Sequence, residues 1–441
     1  MTDTRTAADL AAFARDAGPY PGLRLSALVQ GLAGSEILRI SSEVRALKAA
    51  GRDVCDLTVG DFSPRYFPIP EALRQGIRAA LDRGETNYPP SNGLPELREA
   101  VRGLYARELG LDYPVESVLI AGGARPLVYC LYRTLLDPGD VVVYPVPSWN
   151  NNHYVHLVGA VGRPVVCTPE TRFMPACEAV KPMLPGARLL CLNSPLNPAG
   201  TAITRDELRR IAIAVVEENE SREHQEERPL YLMYDHIYWM LTFAGTEHFT
   251  PPALVPEVAR HTVFIDGISK AFAATGLRVG FALGPVDLIA RMSSLLGHVG
   301  AWAPRPEQMG TRALLEDPAA MGAFRATFHD GVEARLTALH RGLSALKARG
   351  LPVESIAPQG AIYLTARFHP FGRRTPEDAL LATNEDVRRY LLEASGVAVV
   401  PFQAFGAATD EGWFRLSVGA IGLDDIAAAL PRLAAALEAL R

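Results

Sequence analysis

Apolar and polar positions along this chain follow two distinct rhythms. Residues 35–48 (SEILRISSEVRALK) carry apolar side chains at helical spacing and stop before Gly51. From residue 90 or so, stretches with that helical period at 94–109, 126–136, 205–218 and 286–296 alternate with short β-branched or apolar runs. Those runs are 117–121, 141–144, 164–167, 187–192, 230–234, 262–265 and 279–283. Several are apolar with little alternation, which predicts strands buried on both faces. Repeated strand–helix order predicts an α/β fold with a mostly parallel seven-stranded sheet flanked by helices.

Towards residue 320 the texture changes. A long helical segment runs to Leu346, and strand-like 361–365, 397–400 and 413–418 mix with a helix near 385–393 and a last amphipathic helix. This predicts a smaller α+β domain, with the long helix bridging the two. The charged run 218–228 (ENESREHQEER) reads as a solvated helix end and loop.

Composition narrows the class of protein. The chain has 441 residues, 48% apolar and 21% charged, with a net charge of −5, which suits a globular chain with a large core. No basic excess points to nucleic acid. No apolar run reaches the roughly 18 residues of a membrane span, and the N-terminus lacks the apolar region of a signal peptide. Five cysteines without a C-x-x-C pair predict free buried thiols in a reducing compartment, so the cytoplasm is the expected location.

Candidate chemistry sits where predicted strands end, the edge at which open α/β sheets place ligands. Gly122-Gly123-Ala124-Arg125 follows one strand and opens a helix, a setting in which backbone N–H groups and the helix dipole hold an anion, or in which glycines serve only the turn. Trp149 lies beyond another strand, as core or as a stacking surface for a planar ligand. Asn197 stands in the rigid turn NSPLNPAGT at 193–201. Asp235 ends a strand, with Tyr238 three residues on; the acid faces the cleft or caps the next helix. Ser269-Lys270 follows a further strand, ahead of Arg278. A lysine desolvated there has a lowered pKa and is free to form a Schiff base.

An imine-forming lysine, an upstream carboxylate, an anion cradle and a flat aromatic are together the parts of a pyridoxal phosphate site. The chain here resembles the class I/II aminotransferases, pyridoxal-phosphate enzymes of fold type I, and is most similar to their aspartate-type members. The likeness rests on RALKAAGRDVCDLTVG (45–60), NYPPSNGLPELREAV (87–101), LDPGDV (136–141), the Asn-Pro-Ala-Gly turn, Asp235-x-x-Tyr238, Ser269-Lys270 with Arg278, and Phe414-Arg415-Leu416-Ser417.

The resemblance implies an N-terminal extension at 1–30, a segment at 31–60 joining the small domain and carrying an active-site loop, a large domain at 61–322 and a small one at 323–441. It implies Lys270 as the Schiff-base lysine and proton carrier, and Asp235 as the partner of the pyridinium nitrogen. Tyr238 and Asn197 would bond the cofactor's 3′ oxygen, and Trp149 would stack on its ring. The phosphate would rest on Gly123, Ala124, Ser269 and Arg278. Tyr88 would reach it from a partner subunit, making a homodimer with shared active sites. Arg415 would grip the substrate α-carboxylate, and Gly60 would sit in the loop over the substrate. The partners implied are an L-amino acid, with aspartate or glutamate favoured, and a 2-oxo acid, in a ping-pong cycle through pyridoxamine phosphate. No metal, nucleic acid or membrane partner is implied.

Three departures from the family pattern stand out, one of them Ala124, which sits where some bacterial aspartate-type members place a lysine thought to help with the distal carboxylate. Gly267 replaces a serine that would bond the phosphate, and Arg125 is the candidate substitute. No arginine clearly matches the one that reads a distal carboxylate from the partner subunit; Arg305 and His298, in GHVGAWAPRPEQ, are nearby substitutes, and Arg305 either takes that part or merely opens a helix. Two other activities fit the same residues. One is β-elimination by a lyase, and the other is ligand sensing by a non-catalytic regulator, for which the N-terminal residues lack a basic helix-turn-helix.

Overall fold

The structure, a computed structural model, describes residues 7–15, 25–32 and 34–441, so part of the extension expected at 1–30 lies outside the described residues. The chain forms two compact units, Met1–Gly34 and Ser35–Arg441. In the first, helices cover Ala7–Arg15 and Ala27–Gln30, the latter capped by the Ser26 hydroxyl. The second unit carries all of the chemistry described below.

In that unit the strands are β1 (Cys55–Asp56), β2 (Val118–Ala121), β3 (Val141–Val146), β4 (Val161–Val166), β5 (Ala187–Asn193), β6 (Tyr231–Asp235), β7 (Thr262–Gly267), β8 (Gly280–Leu283), β9 (Val353–Ser355), β10 (Tyr363–Phe368), β11 (Val397–Ala398), β12 (Val400–Pro401) and β13 (Trp413–Ser417). Seven of them form one sheet in the order β2-β8-β7-β6-β5-β3-β4. All run parallel except β8, which is antiparallel to both β2 and β7. The unbroken apolar runs have a simple cause. Leu232, Tyr234 and Phe264 enter one core, while Met233, Val263 and Ile265 enter the core on the opposite face. Both faces are covered, so apolar residues follow one another through the middle of these strands and polar ones gather towards their ends.

A second, antiparallel sheet of order β12-β13-β10-β9 covers a third core, which includes Leu336, Leu364 and Phe414. The helix Pro318–Ala348 buries Met321 in the first core and Phe328, Leu336 and Leu343 in the third, as the expected bridge does. Cys55 pairs with Val397 in the short parallel ladder of β1 and β11.

Two local readings differ from the structure. The helix Arg205–His224 ends within the charged run, as expected, but Arg222 in that run is buried rather than solvated. Its guanidinium bonds Glu218 Oε1 at 2.8 Å and the carbonyls of Leu184 and Arg228 at 3.0 and 3.1 Å, so its burial is satisfied. Strand β4 starts three residues early, at Val161; as an edge strand with Val161 and Val166 exposed, it lacks the apolar signature of its neighbours.

Candidate active site

Because β2, β5, β6 and β7 run the same way, their carboxyl ends meet along one edge. Asn193 at the end of β5 sits in register with Asp235 at the end of β6. Its side chain donates to the Asp235 carbonyl at 2.8 Å and accepts from the Asn197 N–H at 2.8 Å. The turn that follows closes through Leu196 N–H to the Thr201 carbonyl at 2.8 Å, with Gly200 in the left-handed region at φ +70°. Asn197 is thereby fixed and buried.

From the second sheet, Arg415 on β13 reaches the same place. Its Nη1 donates to Asn197 Oδ1 at 3.1 Å and its Nη2 to the Thr58 carbonyl at 2.6 Å. The guanidinium lies 4.6 Å from the Tyr363 ring centre and 4.8 Å from that of Phe405. Its Nε is buried without a partner. Desolvation draws the Arg415 pKa below its ordinary value. Tyr363 in turn shares a 2.7 Å hydroxyl–hydroxyl hydrogen bond with Tyr238.

Lys270 lies in the helical turn Ile268–Ala271 that follows β7. Its Nζ donates to the Gly60 carbonyl and lies 5.8 and 5.9 Å from the ring centres of Phe62 and Tyr238. Desolvation pulls the amine down to about 8; Arg415, Arg125 and Arg278 push the same way, and Asp61 opposes them. Burial pushes the Asp235 carboxyl up to about 6, against the Ile237 N–H that donates to it at 3.2 Å.

At the end of β2, Gly122 and Gly123 lead into the helix Ala124–Leu135. Gly123 has φ +98°, and a Cβ there would run into the Arg278 guanidinium. Arg278 is held by the carbonyls of Thr275 at 2.7 Å and Gly122 at 3.1 Å, with its charge exposed beside that helix start. Ser269 is buried in the adjoining turn. The absence of a serine hydroxyl at Gly267 has a steric reason: a Cβ there would sit 2.8 Å from the Val279 carbonyl and 2.9 Å from Gly280 Cα. Arg125 is exposed, with its guanidinium carbon 5.0 Å from the Trp149 ring centre.

Asp235, Tyr238, Asn197, Lys270, Gly60 and Arg415 thus come together, while Gly123, Ala124, Ser269 and Arg278 form an adjoining cationic cradle. Tyr88 and Arg305 make other contacts. Tyr88 is 81% exposed and packs edge-on against Trp302, with ring centres 5.3 Å apart. Arg305 opens the helix Arg305–Leu315 and pairs with Glu85 at 2.7 Å. The sequence reading missed Asn193, Thr58 and Tyr363. Asn193 was in view within the turn motif, whereas Thr58 contributes only a carbonyl and Tyr363 reads as an ordinary strand aromatic.

This constellation can hold an anion, form an imine at an unprotonated amine and grip a carboxylate. Residues 52–433 match the family described as aminotransferase class I and II. The chain is 31% identical to the aspartate aminotransferase of Rhizobium meliloti, over 97% of this chain and 98% of that one. It is 33% identical to a probable aspartate/prephenate aminotransferase of Thermus aquaticus, over 94% and 99%. Its structure superposes with a TM-score of 0.83 and 32% identity on the Thermus thermophilus aspartate aminotransferase with maleate, covering 94% and 99%.

Proposed function

The chain belongs to the class I and II aminotransferases, transaminases that use pyridoxal 5′-phosphate, and on that premise we propose that it exchanges the amino group of an acidic L-amino acid with a 2-oxo acid in a ping-pong cycle. The observation that carries the reading is the buried Arg415 with its unpartnered Nε, held by Asn197 and Thr58 near Lys270. A buried guanidinium with a spare donor is matched by a carboxylate, which every amino-acid and 2-oxo-acid substrate carries.

The residues present fit the cofactor. Gly123, Ala124, Ser269 and Arg278 would hold its phosphate, since the turn leaves room for no side chain between backbone N–H groups and a cation. Asp235 would hold its ring nitrogen, Tyr238 and Asn197 its phenolic oxygen, and Trp149 its flat face. The bound cofactor supplies an electron sink for the electrons left when the substrate Cα loses its proton. Lys270 takes and returns that proton at Nζ; an amine titrating about 8 is suited to both tasks near neutral pH. Gly60 and Phe62 cover it, which limits access of water.

The acidic donor is supported by the names of the relatives and by the maleate complex. Arg305 would read the distal carboxylate by exchanging its Glu85 partner. The exposure of Tyr88 supports a homodimer in which it reaches the partner's phosphate site. Five free, buried cysteines support a reducing, cytoplasmic setting.

The test is an absorbance titration of purified holoenzyme with each common L-amino acid. Conversion of the imine band to an amine-form band, strongest with aspartate and glutamate, is the expected result. Release of pyruvate and ammonia without that conversion would replace transfer by elimination.

A further inference from the structure

Behind the site, a chain of buried polar groups spans the two turns that carry Asp235 and Lys270. Asp266, the residue before Gly267 on β7, is 1% exposed. Its Oδ1 accepts from the Gly267 N–H at 2.7 Å. Its Oδ2 accepts from Trp239 Nε1 at 2.9 Å and from the Tyr105 hydroxyl at 3.1 Å. Tyr105 lies 2.6 Å from His236 Nε2, and His236 Nδ1 lies 3.3 Å from His248 Nε2. Burial keeps both histidines below their ordinary pKa, with His248 at about 3.

With Asp266 ionised, neutral imidazoles leave one consistent set of protons. His248 Nε2–H donates to His236 Nδ1, His236 Nε2–H to the Tyr105 oxygen, and Tyr105 O–H to Asp266. Trp239 and Gly267 have only donors to offer, so three donors converge on one carboxylate. That is the pattern of a buried anion whose hydrogen bonds are complete. Burial, together with the Asp235 charge, pushes the Asp266 carboxyl up to about 7 against those same three donors.

Every partner of Asp266 belongs to a functional turn or braces one. Gly267 leads directly into Ser269 and Lys270, while Trp239 and His236 flank Tyr238 and Asp235. We propose that Asp266 is a positioning residue, cross-linking the Asp235–Tyr238 turn to the Gly267–Lys270 turn so that the groups holding the cofactor from two strands keep a fixed spacing. It touches neither substrate nor cofactor; it acts through Trp239 and Gly267. The inference rests on the assignment of Asp235 and Lys270 to the cofactor.

Three purified variants, Trp239→Phe, Asp266→Asn and Lys270→Ala, test it against the unaltered protein. Cofactor Kd, the pH midpoint of the imine absorbance band and Tm are measured for each. Trp239→Phe removes the cross-strand donor with little change of volume, and Asp266→Asn removes one acceptor. Each is expected to raise the cofactor Kd roughly tenfold, the scale of one unsatisfied buried polar group. Each is also expected to move the band midpoint by more than about half a pH unit, the sign of an altered environment at the lysine. A lower Tm with unchanged Kd and midpoint in both variants would reduce Asp266 to a structural role and overturn the proposal. If Asp266→Asn does not fold, Trp239→Phe alone decides. Survival of the imine band in Lys270→Ala would instead overturn the underlying site assignment.

Discussion

Asn197 Oδ1 accepts a 3.1 Å hydrogen bond from Arg415 Nη1, although 218 residues separate the two along the chain. The bond fixes one end of a guanidinium that Thr58 holds at the other, leaving Nε as its spare donor. Lysine offers a point charge and no planar fork. Arg415→Lys should therefore lower kcat/KM for the amino donor by at least roughly 30-fold, about 2 kcal/mol, as expected when a buried charge pair is broken. Steady-state kinetics with donor and acceptor varied separately would check this, and near-normal values for both would remove Arg415 from substrate binding.

The lowered pKa of Lys270 has a sign that can be worked through. In the apoprotein the amine titrates about 8, against about 10.4 for an unfolded lysine. Between those values the unfolded chain binds the extra proton, so stability attributable to this group rises with pH across the window. Below about 8 both states are charged and the burial penalty is fully present. The unprotonated amine is also the nucleophile. The rate of cofactor uptake by apoprotein should rise with pH and level off above about 8, as read by stopped-flow absorbance. A rate still climbing at pH 10 or so would mean that the amine is not desolvated.

Gly123→Ala forces a Cβ into a backbone at φ +98° and against Arg278. The side chain of Arg278 can swing aside, so the fold should survive at a cost of about 1–3 kcal/mol for the strained backbone. The cofactor should be affected more than the fold. A phosphate titration of the apoprotein should weaken by roughly tenfold or more if the turn is an anion cradle, and an unchanged affinity would argue for a purely conformational glycine.

Arg125 offers a separate test, because Gly267 has no room for a hydroxyl-bearing side chain. If Arg125 compensates, Arg125→Ala should weaken cofactor binding several-fold by equilibrium dialysis. An unchanged Kd would leave Arg125 with its contact over the Trp149 ring alone.

Arg305 is occupied by Glu85. If it also reads a distal carboxylate, Arg305→Ala should raise KM for aspartate roughly tenfold or more while leaving alanine unaffected. Equal changes for both donors would limit the residue to its ion pair and helix start.

Much of the site was legible because its members stand at the carboxyl ends of parallel strands. Asp235 and Lys270 each come soon after a run of apolar residues whose character is set by burial on both faces, so local sequence puts them near strand ends, while their roles were suggested only by the order of the motifs and the resemblance. Arg415 is different: nothing near Phe414 or Leu416 indicates that its guanidinium meets the Asn197 turn, and only the resemblance suggested its part. Arg222 was read as solvated because a charged run usually is. Its burial depends on the carbonyls of Leu184 and Arg228, whose availability emerges only after packing. Asp266 gave no signal at all, since its donors come from a helix and a neighbouring turn.

The reversed strand β8 bears on how the enzyme comes into being during synthesis. Among the described residues, strand β2 stands at one end of its sheet and has β8 as its only ladder partner. The cradle beyond Ala121 is therefore built on a strand that waits for residues 280–283 to be made before it has a neighbour. A growing chain that already contains Lys270 still lacks both β8 and Arg278. N-terminal segments tend to fold first on the ribosome, yet here the earliest strand of the sheet is left unpaired while the others accumulate. Nascent chains halted anywhere between Ala121 and Gly280 would leave the β2 edge unpaired, a long stretch of translation over which this protein would need protection from aggregation.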